Sequence, residues 1–204
     1  MGCDIHTFLE RKRKVRGKEE WVNVDYWKIN PYFNQYGCEP KYNMMEFYDG
    51  RDYELFSILA NVSNSGNNEP ICQPKGLPED CSNIVKEENK YWGGDAHSES
   101  YFTLKELMEY YNKVPTTKRS GMLSPKALIK FDKYGELPES WCKWTNISGH
   151  EFREWEVDSV LKPLIDKMKS RLAEELYIYD CYENYENEIL KESDNFRIVF
   201  WFDN

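Results

Sequence analysis

The 204-residue chain carries 27 Lys and Arg against 36 Asp and Glu, a formal charge of −9. That balance disfavours tight binding to a nucleic-acid polymer, whose affinity rests on many cationic contacts to phosphate, while leaving room for a small phosphorylated ligand in a local basic pocket. Mean hydropathy is −0.81, yet aromatics reach 16 %, a content that excludes a disordered chain.

Apolar and polar residues alternate from Gly2 to Lys12, with Cys3, Ile5, Thr7 and Leu9 on one face and Asp4, His6, Phe8 and Glu10 on the other, a strand pattern. The basic run Arg11 to Lys14 with Arg16 and Lys18 reads as a solvated hairpin end turning at Gly17, and the β-formers from Glu20 to Lys28 read as the return strand. Asn30 to Asp49, rich in Tyr, Asn, Gly and Pro, reads as a long ordered loop. Leu55, Ile58, Leu59 and Val62 recur at helical spacing after Asp52, and Asn64 to Asn68 ends that helix.

Pro78-Glu79-Asp80 with Ser82 starts a second helix running towards Tyr91, which Trp92-Gly93-Gly94 breaks. Asp95 to Phe102 reads as extended, and Thr103 with Glu106 forms a capping box that opens a helix to about Asn112. Thr116 to Gly149 holds short apolar pieces without a single reading. From Glu154 to Tyr177 an apolar stripe of Val157, Val160, Leu161, Leu164, Ile165, Met168, Leu172 and Leu176 reads as the longest helix, with Pro163 marking its first turn or a kink. Phe196 to Asp203 is apolar on both faces, a central strand, with Arg197, Val199, Trp201 and Asp203 on one side. The whole is expected to be one α+β domain over 1–204, its mainly antiparallel sheet built from the N-terminal hairpin and the C-terminal strand and packed by helices.

Six cysteines lie scattered, without a C-x-x-C pair or a secretory leader, which points to reduced thiols and a cytoplasmic protein. No apolar run approaches the ~20 residues of a membrane-spanning helix, so no membrane partner is expected. Met1-Gly2-Cys3 opens like an acylated protein, but the myristoylation pattern wants Ser or Thr where His6 stands.

Two of the three histidines follow an aspartate by two positions, in Asp4-Ile5-His6 and Asp95-Ala96-His97, and Glu99 follows the second. In an extended segment such a pair presents a carboxylate and an imidazole side by side, a unit that binds a divalent ion or moves a proton. Three chemistries fit. Asp4, His6, Asp95, His97 and Glu99 could hold zinc, manganese or magnesium that activates water against a phosphodiester. His6 and His97, with Asp4, could act as general base and acid without metal. Or the chain could bind a nucleotide without turnover, stacking a base on Tyr32, Phe33, Tyr36, Tyr42, Phe47 or Tyr48, with Arg51, Tyr53, Lys75 and Trp201 as ligand contacts.

The first two need the imidazoles within about 4 to 8 Å of each other. Distant histidines without a pocket between them would favour a structural or interaction module. The leading expectation is hydrolysis of a small nucleotide phosphodiester; the alternative is non-catalytic sequestration, with self-association of the chain open in either case.

Met1-Gly2-Cys3-Asp4-Ile5-His6, Asp52-Tyr53-Glu54-Leu55-Phe56 with Leu59-Ala60, Lys75-Gly76-Leu77-Pro78, Gly94-Asp95-Ala96-His97-Ser98 and the terminal Arg197 to Asn204 resemble a family of small bacterial and phage proteins generally labelled uncharacterised. The family pattern near His97 reads G-H-S-H-S, with Ser98-Glu99 standing here in place of Ser-His. The resemblance implies no defined activity. Phage kinship implies action on a host nucleotide signal, by cleavage or sequestration, as a counter-defence.

Overall fold

The alternation after Cys3 is realised as a long strand, and a two-residue loop reverses it. In the computed structural model, which describes residues 2–33 and 40–203, β1 (Asp4–Val15) returns through Arg16 and Gly17 into β2 (Lys18–Asn23), with Val15 opposite Lys18. Both loop residues have positive φ, 49° and 87°, the backbone that a tight hairpin of right-handed twist requires. The expected return strand to Lys28 is cut short. Asp25 turns inward and accepts the Leu9 N–H at 3.1 Å, while the Val24 N–H bonds to the Leu9 carbonyl at 2.9 Å. The chain then leaves the sheet as β3 (Tyr26–Ile29), which pairs with β4 (Tyr42–Met45) in a separate ribbon. Part of the segment expected to be a loop is therefore a strand, and Tyr36 lies outside the described residues.

The helix starts follow their caps. Asp52 accepts the N–H groups of Glu54 and Leu55 to open α1 (Tyr53–Ala60), which Asn61 closes in the left-handed region at φ 58°. Ser82 caps α2 (Asn83–Trp92), and Gly93–Asp95 form a single tight turn. β5 (His97–Thr103) leads into α3 (Leu104–Lys113) through a capping box in which Thr103 and Glu106 each satisfy the other's backbone N–H. The region without a single reading forms β6 (Thr116–Leu123) and α4 (Pro125–Tyr134).

β7 (Glu151–Asp158) corrects the expected start of the longest helix. Residues 154–158 alternate, with Trp155 buried between exposed Glu154 and Glu156, and pair along β6. Helix α5 (Leu161–Leu176) begins only after Ser159, whose hydroxyl accepts the Leu161 N–H at 3.3 Å. α6 (Tyr185–Glu192) precedes β8 (Phe196–Asp203).

The principal sheet has the order β2-β1-β8-β5, antiparallel between neighbours, and the protein is α+β with this sheet packed against helices. β8 lies inside it and is apolar on both faces because each face meets a core. Ile5, Leu9, Ile198, Phe200 and Phe202 pack against α1, α3 and α5, whereas Phe8, Val199 and Trp201 pack against Val85 of α2. A third, smaller core of Leu123, Leu128 and Trp155 joins β6, β7 and α4. On the α2 side of the sheet a fully buried Glu10 accepts Arg197 Nε at 2.8 Å and the Ser82 N–H at 2.6 Å, tying the start of α2 to the sheet. The five described cysteines are free thiols, and among the described residues no helix is long and apolar enough to cross a membrane.

Candidate functional site

Residues directly opposite in an antiparallel ladder share a face, and successive residues of one strand alternate. His6 lies opposite Trp201 and His97 opposite Phe202. The two imidazoles therefore project from opposite faces of the sheet. His97 stacks on Phe202 with ring centroids 6.0 Å apart, and its Nδ1 lies 3.1 Å from Ser98 Oγ. His6 lies on the other face, its ring 4.1 Å from that of Trp92.

The second D-x-H is not an extended pair. Asp95 belongs to the tight turn before β5, and Ser98 at φ 55° sits in an irregularity of the ladder between His97 and Ser100. Glu99 contributes its carbonyl to the Gly76 N–H at 2.8 Å. The expected set of Asp4, His6, Asp95, His97 and Glu99 is thus not assembled. Among the described residues no group of three or more His, Cys, Asp or Glu side chains is disposed to hold a metal ion.

His6 has different company from that expected. Its Nδ1–H donates to Glu46 Oε1 at 2.8 Å, and Nε2 faces Asp203 Oδ2 at 3.6 Å. Burial disfavours the imidazolium, but the Glu46 and Asp203 carboxylates outweigh it and raise the pKa above its ordinary value. Asp203 reaches this place as the end of β8. Glu46 carried no sequence signal because it lies just beyond the unforeseen β4. Asp4 instead engages Arg51 in a two-pronged pair, Nε to Oδ1 at 2.8 Å and Nη2 to Oδ2 at 2.6 Å, while its N–H donates to Asp203 Oδ1 at 3.2 Å.

The four expected ligand contacts separate. Trp201 is fully buried and stacks on Phe8 at 4.6 Å, so it is core. Lys75 is committed to Glu106 at 2.7 Å and lies over the Phe102 ring at 4.4 Å, pinning its loop to the start of α3. Arg51 and Tyr53, by contrast, line a cavity of about 330 Å³ with Lys118, Arg119, Lys143 and Trp141.

Four elements build that cavity. The start of α1 brings Arg51, Asp52, Tyr53 and Glu54, and residues 63–68 form a rim. Buried Asn68 fixes β6 by accepting the Lys118 N–H at 3.1 Å and donating to Ser57 Oγ at 3.3 Å. The segment holding Trp141 docks on β6 through the Met122 N–H to Cys142 carbonyl bond at 2.8 Å. Gly121 permits that approach, since a Cβ there would stand 2.6 Å from Trp141 Cδ1 and 3.0 Å from the Cys142 carbonyl oxygen.

Each of the two aromatic rings in the cavity carries a cation over one face. Arg119 Cζ lies 5.2 Å from the Trp141 centroid, and Lys143 Nζ lies 5.7 Å from that of Tyr53. Arg119 Nε is buried without a hydrogen-bond partner among the described residues, and its Nη2 stands 3.9 Å from Glu54 Oε2. Burial and then the neighbouring Asp52 carboxylate push the Glu54 pKa up, which favours its neutral form more than usual. Asp52 spends its Oδ1 on the first turn of α1, so the helix N–H groups of Glu54 and Leu55 are not free for a ligand. Lys118, Arg119, Trp141 and Lys143 escaped the sequence reading; the adjacent pair Lys118-Arg119 is their only local signal, and the cavity forms through long-range packing.

Comparison of the chain with protein-family models, with curated proteins and with solved structures finds no match.

Proposed function

We propose that the protein binds a small phosphate-bearing molecule of the nucleotide kind, without turnover, in the cavity lined by Arg51, Lys118, Arg119 and Lys143. One observation carries this reading: four cationic side chains converge on one cavity in a chain whose formal charge is −9. Asp52 and Glu54 share the lining and Asp4 holds Arg51, yet cations outnumber these carboxylates, an excess that an oxyanion offsets. The cavity lies at the small end of the ~300–1,000 Å³ typical of small-molecule sites. Hydrolysis by a His6 and His97 couple is not carried forward, because the sheet stands between the two rings. In a bacterial cytoplasm such a protein would sequester a nucleotide signal rather than destroy it.

Calorimetric titration with AMP tests the reading. Saturable binding is expected, weakened by added salt. Lys118→Glu and Lys143→Glu should each lower affinity by ~10- to 100-fold, the loss of a charge-assisted contact of roughly 1.5–3 kcal/mol. The nucleotide should be recovered chemically intact after denaturing the complex. Binding that ignores both charge reversals overturns the site assignment, and release of a cleaved product would restore a hydrolase.

A further inference from the structure

The cationic cavity has a larger neighbour. Asp52 and Arg119 also line a second cavity of about 830 Å³, walled by Leu55, Leu137, Val157, Val160 and Leu164. The two cavities therefore share the Asp52 and Arg119 side chains as lining and differ in character. In the smaller one Arg119 and Lys143 each lie over one face of Trp141 and Tyr53, so those rings organise cations there. The larger one has aliphatic side chains from α1, β7, α5 and the segment after α4 along its wall, with Asp49, Asp158, Lys162 and Lys167 also lining it, so the charges at its edge are mixed rather than cationic.

From this contrast we infer that the ligand is amphipathic and spans both cavities, its oxyanion held by Lys118 and Lys143, its aromatic or other apolar body lodged against Leu55, Leu137 and Val157, and Arg119 contacting it at the junction. The inference rests on the phosphate-binding reading and adds where the rest of the molecule goes. Chemistry and volume both support the division. An anion gains from cations and nothing from an aliphatic wall, whereas an apolar body gains in proportion to the area it removes from water. Arg119 Nε, buried and without a hydrogen-bond partner among the described residues, is a donor placed at the boundary.

Three probes of one charge type separate the claims: inorganic phosphate, glycerol 3-phosphate and 1-naphthyl phosphate, each titrated calorimetrically into the full chain. The naphthyl ester is expected to bind at least about tenfold more tightly than glycerol 3-phosphate. Leu137 is 54 % exposed, so Leu137→Glu should leave the fold intact, as a thermal melt will show, while bringing a carboxylate to the apolar wall. That variant should remove most of the naphthyl preference, lowering affinity for 1-naphthyl phosphate by a larger factor than affinity for inorganic phosphate. Equal affinity for the two esters, or a naphthyl preference that survives Leu137→Glu, overturns the two-cavity ligand while the phosphate site stands. If none of the three probes binds, the phosphate-binding reading and this inference fall together.

Discussion

His6 and His97 face away from each other across one sheet, held there by adjacent residues of β8, since His6 is opposite Trp201 and His97 opposite Phe202. The partners of the two rings are distinct, Glu46 and Trp92 for His6 and Ser98 and Phe202 for His97. Their contributions to stability should therefore add. The unfolding free energy lost in a His6→Ala, His97→Ala double variant is expected to equal the sum of the single losses within about 0.5 kcal/mol, measured by urea titration. A coupling well above that would mean that the rings belong to one network after all.

The His6 imidazole should respond to Glu46 in a defined direction. Burial lowers its pKa, but the hydrogen bond and charge of Glu46, assisted by Asp203, raise it by more, so the folded value exceeds the ordinary 6.5. A raised folded pKa contributes stability that is fully present below the unfolded value and is lost as pH rises through the folded one. Glu46→Gln removes the principal raising contribution, and an NMR titration of the His6 ring protons should then show a lower pKa and a smaller loss of stability above pH ~6.5. An unmoved titration curve would mean that Asp203 alone governs the ring.

A second pH effect comes from Asp25, whose burial pushes its pKa up to about 7 despite donors from Asn23 and Leu9 and the charge of Arg171, with Glu10 adding to the rise. The folded state then binds a proton more tightly than the unfolded state, whose value is near 3.9. Stability from this group is complete below pH ~4 and falls progressively as pH rises towards 7, by an amount on the order of a few kcal/mol. Asp25→Asn should flatten that slope. Urea midpoints taken at intervals from pH 4 to 8 will show whether it does, and an unchanged slope would assign the effect elsewhere.

Legibility in the sequence tracked the range of the forces involved. The Thr103 and Glu106 box and the apolar stripe of α5 are local patterns, and each marks its element in the structure, whereas Pro78-Glu79-Asp80, read as the start of α2, lies ahead of it and the helix begins at Asn83 after its Ser82 cap. The Phe196 to Asp203 run announced an inner strand because both of its faces are apolar. The failures are non-local. Nothing near Asp25 says that it will turn inward on Leu9 and divert the chain into β3, and Val157 fits a helical stripe as well as it fits β7. The D-x-H coincidence assumed two extended segments, whereas Asp95 lies in a tight turn and a register shift follows His97. Arg51 and Tyr53 stood out in the sequence only as single residues; the cations with which they line a cavity come from β6 and the segment after α4, brought near by packing alone.

The buried pair of Glu10 and Arg197 should be the costliest single point to break. Glu10 is fully buried and Arg197 is 3 % exposed, and the guanidinium also meets Asp80 at 2.9 Å and lies 3.9 Å from the Trp21 ring centroid. Arg197→Met strands a carboxylate inside the protein, and a loss of about 3–5 kcal/mol is expected. Adding Glu10→Leu removes the stranded charge and should recover much of it, since well-packed apolar replacements of buried ion pairs are often neutral. Recovery should stop short of completion. The Ser82 N–H, which now donates to Glu10 at 2.6 Å, would be left without its acceptor at the start of α2, a deficit of about 1–3 kcal/mol. A double-mutant cycle by chemical denaturation measures both quantities, and a double variant less stable than Arg197→Met alone would show that Glu10 serves α2 more than it serves Arg197.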